Sequence, residues 1–330
     1  MPANLTPQYL KAEQAFRAAR SDEEKIACLE EMYSLLPKHK GTEKMQAEIK
    51  RKLSALRRAE GHEHAVKKAA GQLVEKEGAG QVVLLGAPNV GKSRLVASLT
   101  NATPLVADYP FTTQRAQPGM MKYKDVQIQL VDLPPITHDV MPTWLPDMVR
   151  RADAALLVVD LGGDDVLDDA QVVFDRLAAL KIALCGDAVA LKAASEAGLV
   201  GRRAICVANK AELAGAADRM LILEELMKDR LPVVAVSAAE GKGLDDLRQE
   251  IFDLLGVIRV YSKVPGKPAD MNDPFVLPVG STVLDMARTV HKELADQLVR
   301  ARIWGGGKYD GQSVRRDHVL VDGDVVELHG

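Results

Sequence analysis

The residues best suited to chemistry are clustered in "GAPNVGKS", positions 86 to 93, where Gly86 and Gly91 bracket four residues and Lys92–Ser93 follow. The spacing G-x-x-x-x-G-K-S lets successive backbone N–H groups surround a polyphosphate when a strand leads in and a helix leads out. "QVVLL" and "SRLVASLT" supply those elements. Ala87, Pro88, Asn89, Val90 and Arg94 complete the phosphate-binding stretch. Lys92 is expected to reach the β- and γ-phosphates, and the Ser93 hydroxyl to bind Mg²⁺. Asp132, ending the alternating run "VQIQLVD", falls where a second magnesium-handling group belongs. Between them, "ADYPFTTQRAQPG" offers two threonines that could close onto the metal when a γ-phosphate is present. Thr113 is preferred to Thr112. For the base, "ICVANKAE" places Asn209, Lys210 and Glu212 after a buried strand. "VAVSAAEGKG" places Ser237, Ala238 and Ala239 after another, with backbone N–H groups to offer.

The strands that must carry these residues read as short apolar runs separated by helical stretches: "QVVLL", "VQIQLVD", "AALLVVD", "AICVAN" and "LPVVAVSA". Such an alternation predicts an α/β domain over 78–256 with a mostly parallel sheet. Its ligands belong outside the carboxyl ends of the strands, where all these motifs fall. Before it, 1–77 contains apolar positions at helical spacing from Gln8 to about Glu60, including Ile26, Leu29, Tyr33, Leu36, Met45, Ile49, Leu53 and Leu56. Pro37, Gly41 and Thr42 punctuate them, which predicts a helical hairpin with a linker. The second arm, "KRKLSALRR", suits either RNA phosphates or a solvated helix face. After it, 257–330 reads as a small α+β module, one helix "STVLDMARTVHKEL" on a mixed sheet. Its cations Lys263, Lys267, Arg288, Lys292, Arg300, Arg302, Arg315 and Arg316, with Trp304 and Tyr309 for stacking, suit RNA. Trp304 in a small core is the bland alternative.

A length of 330 residues allows two or three domains, and a net charge of −3 leaves any nucleic-acid contact to local patches. Cys28, Cys185 and Cys206 are too dispersed for a disulfide framework or a zinc site, which fits a reducing compartment. The N-terminus lacks a signal-peptide core and no apolar run approaches the roughly 20 residues of a membrane span. A cytoplasmic protein without membrane insertion is expected.

In order along the chain, "KHKGTEKMQAEIKRKLSALRR", "GAPNVGKS", "ADYPFTT", "PFVLPVGSTVLDMARTVHKEL", "ARIWG" and "GQSVRRDHVLVDGDVVEL" resemble the Obg-related GTPases, most of all their developmentally regulated GTP-binding branch. The resemblance implies a P-loop G domain with a C-terminal β-grasp TGS domain, GTP hydrolysis to GDP and phosphate with Mg²⁺, and contact with RNA or the ribosome. It leaves room for an accessory protein. It also implies that Asn89 helps bind a K⁺ ion beside the phosphates, so that Lys92, Thr113 and Asn89 form the catalytic group.

Three positions depart from that pattern. Where D-x-P-G is usual, the sequence has "DLPP", and Pro135 has no N–H for a γ-phosphate, a loss of about 1.5–3 kcal/mol of discrimination. Ile136 stands where Ras-like proteins carry a water-orienting Gln, which predicts slow intrinsic turnover. His138 is better read as a solvated residue than as a substitute base. Glu212 replaces the guanine-binding Asp of N-K-x-D. Its extra methylene is compatible with guanine, while a YchF-like ATPase is the enzymatic alternative. A catalytically weak nucleotide-binding scaffold is the alternative of another class. Residues 161–203 are too short for the domain inserted in typical relatives.

Overall fold

The computed structural model describes residues 7–18, 22–36, 45, 48–53, 73–100, 116–306 and 310–329. The chain divides into two compact units, Met1–Gln72 and Leu73–Gly330. In the first, α1 (Pro7–Ala18), α2 (Asp22–Leu35) and a helical stretch over 48–53 (α3) bury Ala12, Leu29, Met32, Leu36 and Ile49 together. The expected two-helix hairpin is thus three helical pieces. The early periodicity conceals a restart at Asp22, where "SDEE" supplies the polar and acidic residues that favour a helix N-terminus. Pro37, Gly41, Thr42, Leu56 and the basic residues after Leu53 lie outside the described residues.

The second unit opens with a sheet in the order β2-β3-β1-β4-β6-β5, with β7 also paired to β6. Its strands are β1 (Gln81–Leu85), β2 (Gln117–Tyr123), β3 (Val126–Asp132), β4 (Ala154–Asp160), β5 (Ile182–Cys185), β6 (Val200–Asn209) and β7 (Val233–Ala235). Only β2 runs antiparallel. Every residue of β1 is buried, as the central strand of a sheet covered on both faces must be. Helices α4 (Lys92–Leu99) and α9 (Leu244–Leu255) help cover it, burying Leu95, Leu99, Leu247 and Ile251 against Val82, Leu84, Leu156 and Val207. The remaining helices are α5 (Leu145–Arg151), α6 (Val166–Ala178), α7 (Ala188–Glu196) and α8 (Ala216–Met227). Between β4 and β6 the chain builds α6, β5 and α7. β5 pairs with the first half of β6 and β7 with its second half, so two short strands share one edge.

The last sheet has the order β11-β10-β12-β8-β9, from β8 (Val257–Ser262), β9 (Phe275–Pro278), β10 (Arg300–Trp304), β11 (Gln312–Val314) and β12 (Asp324–His329). Val260, Leu277, Val283, Met286, Ile303 and Val326 form its core. The helix α10 (Val283–Val290) starts in a capping box, in which Thr282 and Asp285 satisfy each other's backbone N–H groups. The single helix expected here is broken. His291 is extended (φ −164°, ψ 136°), and α11 (Lys292–Gln297) follows it. Thr289, Val290 and His291 are all weak helix formers, which is the local reason for the break. Trp304 is half-buried at the end of β10, with Lys263 Nζ 4.7 Å from its ring centroid and Gly311 close against the ring. Its ring is thus partly covered from within the module, and Tyr309 lies outside the described residues.

Two side chains of β8 join the two sheets' modules. Arg259 of β8 is buried and donates to Asp322 at 2.8 Å and to Asp125, in the turn between β2 and β3, at 2.5 Å. Its guanidinium lies 5.7 Å from the Phe252 ring centroid, and Phe252 stacks on Tyr123. Tyr261 also donates to Asp125. Burial pushes the Asp125 carboxyl up, but the hydrogen bonds from Tyr261 and Arg259 outweigh it and leave it below the usual range. Removing the arginine strands two acids, so Arg259→Ala should cost about 2–3 kcal/mol in urea unfolding. A change below about 0.5 kcal/mol would mark the network as no better than a surface pair.

Candidate functional site

The phosphate loop is pressed onto the sheet by its glycines. A Cβ on Gly86 would lie 2.3 Å from Val158 O, and one on Gly91, where φ is +93°, would lie 2.3 Å from Asn209 Nδ2. Only glycine permits such approaches. Pro88 and Asn89 stand exposed at the crest, Asn89 with φ +62°, while Ala87 and Val90 are buried beneath.

Lys92 is buried at the start of α4, and its ammonium donates to Gly86 O at 3.0 Å and Ala87 O at 2.9 Å. Burial lowers its pKa to about 8, against the attraction of Asp132 and Asp169. Ser93 Oγ donates to Asp132 Oδ2 at 2.5 Å. The other oxygen, Asp132 Oδ1, is buried without a hydrogen-bond partner among the described residues. Burial raises the Asp132 carboxyl above its usual range even though Ser93 and Lys92 favour its charged form. The structure thus brings Ser93, Lys92 and Asp132 together. Thr112 and Thr113 lie outside the described residues.

The segment after Asp132 is packed down. Leu133, Pro134 and Ile136 are buried, and Ile136 N–H donates to Gly86 O at 3.2 Å. Ile136 fills core where a water-orienting side chain would need the cleft. His138 is exposed, and its carbonyl accepts from Arg176.

On the base side, Asn209 ends β6 and is buried. Its Nδ2 donates to Val90 O at 2.9 Å and its Oδ1 accepts from Ala238 N at 3.1 Å. The N–H of Ser237 is spent on Lys242 O. Two of the N–H groups expected to face a base are therefore engaged, and Ala238 serves to fix Asn209. Glu212 is partly exposed as a residue, but its Oε2 is enclosed without a hydrogen-bond partner among the described residues. The Ser237 hydroxyl, a backbone N–H and the charges of Arg94 and Lys210 hold its carboxyl below the usual range. Lys210, with φ +63°, extends to Asp160 Oδ2 at 2.5 Å. Sequence reasoning missed Asp160. Its position at the end of "AALLVVD" was visible, but the contact depends on β4 and β6 lying side by side.

Comparison with known proteins fits this geometry. Residues 81–184 match the family described as 50S ribosome-binding GTPase, and residues 258–329 match the TGS domain. A GTP-binding protein of Methanocaldococcus jannaschii is 29% identical, covering 93% of this chain and 92% of its own. The developmentally-regulated GTP-binding protein 2 homolog of Dictyostelium discoideum is 28% identical over 92% of this chain and 98% of its own. Ribosome-interacting GTPase 1 of Saccharomyces cerevisiae is 27% identical with the same coverage. Among solved structures, the Schizosaccharomyces pombe YchF GTPase shares the fold at a TM-score of 0.52 and 14% identity, covering 78% of this chain and 100% of its own. A GTP-binding protein from Pyrococcus horikoshii does so at 0.50 and 18%, covering 76% and 99%. The chain is a P-loop GTPase domain followed by a TGS domain, and over most of its length it resembles the developmentally regulated GTP-binding branch of the Obg-related GTPases.

Proposed function

We propose that the chain binds guanine nucleotides with Mg²⁺ and hydrolyses GTP to GDP and phosphate, slowly when alone. The observation that carries this reading is a pair of enclosed carboxylate oxygens without partners among the described residues, Asp132 Oδ1 on the phosphate side and Glu212 Oε2 on the base side. A buried polar atom left unpaired is costly, and a ligand that pairs it recovers the cost. Asp132 and Ser93 fit a hard divalent cation, with Thr113 as the third group we assign to it. Mg²⁺ bound there would neutralise charge developing on the β- and γ-phosphates. Lys92 would turn its ammonium from the carbonyls of Gly86 and Ala87 to phosphate oxygens, which also offset its desolvation. A carboxylate at Glu212 can accept from both guanine N1–H and the 2-amino group, whereas adenine presents an acceptor at N1. That favours GTP over ATP, the YchF-like alternative. Asn89, exposed at the loop crest, is the residue we assign to K⁺.

Ile136 cannot orient water and Pro135 offers no N–H, so rapid turnover is assigned to K⁺ and to a partner. The descriptions of the matched family and of the yeast relative support a ribosomal partner. Arg300, Arg302, Arg315 and Arg316 are exposed on the TGS domain and suit RNA phosphates. No described helix is long and apolar enough to cross a membrane. We place the protein in the cytoplasm.

Phosphate release should be measured with GTP and ATP in K⁺ and Na⁺ buffers, beside Lys92→Ala. The expected result is GTP turnover, faster in K⁺ and absent in the variant. Turnover of ATP alone would favour the ATPase, and no turnover of either would favour a binding scaffold.

The buried Lys92 also predicts a trade between stability and function. Between about pH 8 and 10.5 the unfolded chain retains the lysine proton that the folded protein has lost, so stability rises with pH there. Below pH 8 both states are charged and the folded protein bears the full desolvation cost. Lys92→Met should therefore stabilise the nucleotide-free protein by about 2 kcal/mol at pH 7.5, with the advantage gone near pH 10.5. A lower urea midpoint for the variant at pH 7.5 would contradict the assignment.

A further inference from the structure

We infer that Asp160 is a positioning residue for base recognition, which restrains Lys210 and so keeps Glu212 Oε2 open to the nucleotide. The inference rests on the guanine-nucleotide reading of the site. Asp160 ends β4 directly beside Asn209 of β6 in the parallel register. Both of its oxygens are held: Oδ1 accepts from Gly162 N–H at 2.7 Å, and Oδ2 from Lys210 Nζ at 2.5 Å. The loop after β4 is shaped around that carboxylate. A Cβ on Gly162 would lie 3.0 Å from Asp160 Oδ1 and 2.4 Å from Leu213 Cδ1.

Lys210 sits between the two residues that matter most on this side of the site. Asn209 precedes it and ties the phosphate loop to Ala238, while Glu212 follows two positions later with an enclosed, unpartnered Oε2. The Lys210 charge already contributes to holding the Glu212 carboxyl low. An ammonium on a flexible stem so near a carboxylate with an enclosed oxygen competes with a ligand's N–H groups for that oxygen. The contact with Asp160 directs that ammonium elsewhere, and the pair is only about a quarter exposed, its side chains retaining 31% and 22% of their accessible surface. The left-handed backbone at Lys210 is fixed at the same time, by Ala211 N–H to Val236 O and Leu213 N–H to Lys210 O. The segment is thus constrained from the backbone and from the side chain.

Asp160→Asn retains an oxygen for Gly162 N–H but loses the charge that holds Lys210. Binding of fluorescent GDP and of a non-hydrolysable GTP analogue should be titrated for the wild type, Asp160→Asn, Lys210→Met and the double variant, with the thermal midpoint of each. The expected result is a roughly tenfold rise in Kd for both nucleotides in Asp160→Asn, with the midpoint within about 2 °C of wild type. Within the Lys210→Met background the same substitution should add almost nothing. An unchanged Kd in Asp160→Asn, or the same penalty with Lys210 absent, would overturn the inference while leaving the guanine-nucleotide reading intact. Failure of the wild type to bind either guanine nucleotide would overturn both.

Discussion

The carboxamide of Asn209 is the contact on which the site depends. One side chain at the end of β6 donates to the phosphate loop at Val90 O and accepts from the loop after β7 at Ala238 N. Three segments distant in sequence are thereby held at fixed separation around one point. Because the group is buried, loss of either partner would leave a polar atom unsatisfied in a low-dielectric interior, at a cost of about 1–3 kcal/mol. The two glycines of the phosphate loop answer the same constraint. With a side chain at Gly91 the carboxamide could not approach, and with one at Gly86 the loop would be lifted from Val158.

The second unit handles buried charge in two opposite ways. At Arg259 every charged group has a partner, two carboxylates and an aromatic face around one guanidinium, and the network serves as a joint. Around the phosphate loop the matching is left incomplete. Lys92 has carbonyls where it needs anions, and Asp132 and Glu212 each keep an oxygen without a partner. Folding alone would favour completing these pairs, and groups left open in this way are what the proposed nucleotide site requires. The contrast within one unit makes the reading of the site stronger than any one residue in it.

The phosphate loop was legible in the sequence because its geometry is nearly covalent: a few residues between a strand and a helix determine where the N–H groups point. β1, β3, β4 and β6 were legible from their apolar runs. β2, "QPGMMKY", was not, since Pro118 and Gly119 read as a loop and are tolerated only because this is an edge strand. β5 was missed because it has only four residues. The spent N–H of Ala238 and the Asp160–Lys210 contact were hidden for another reason. Each depends on which strands or loops become neighbours, and local spacing carries no information about that.

Pro135 illustrates how a departure from a motif can be absorbed. Proline at 134 and 135 fixes φ at both positions, and the structure uses that stiffness to bury Leu133, Pro134 and Ile136 together. The next available N–H, that of Ile136, goes to Gly86 O, the carbonyl that also accepts from Lys92. The start of this segment is therefore attached to the phosphate loop through backbone and core, with no free donor at 135 to follow a γ-phosphate. Lys92 donates to Gly86 O and Ala87 O and Ser93 donates to Asp132 Oδ2, so under the proposed function these groups, with Thr113, remain to register a γ-phosphate. Lys92 and Ser93 lie on α4 and Asp132 at the end of β3, both anchored in the core.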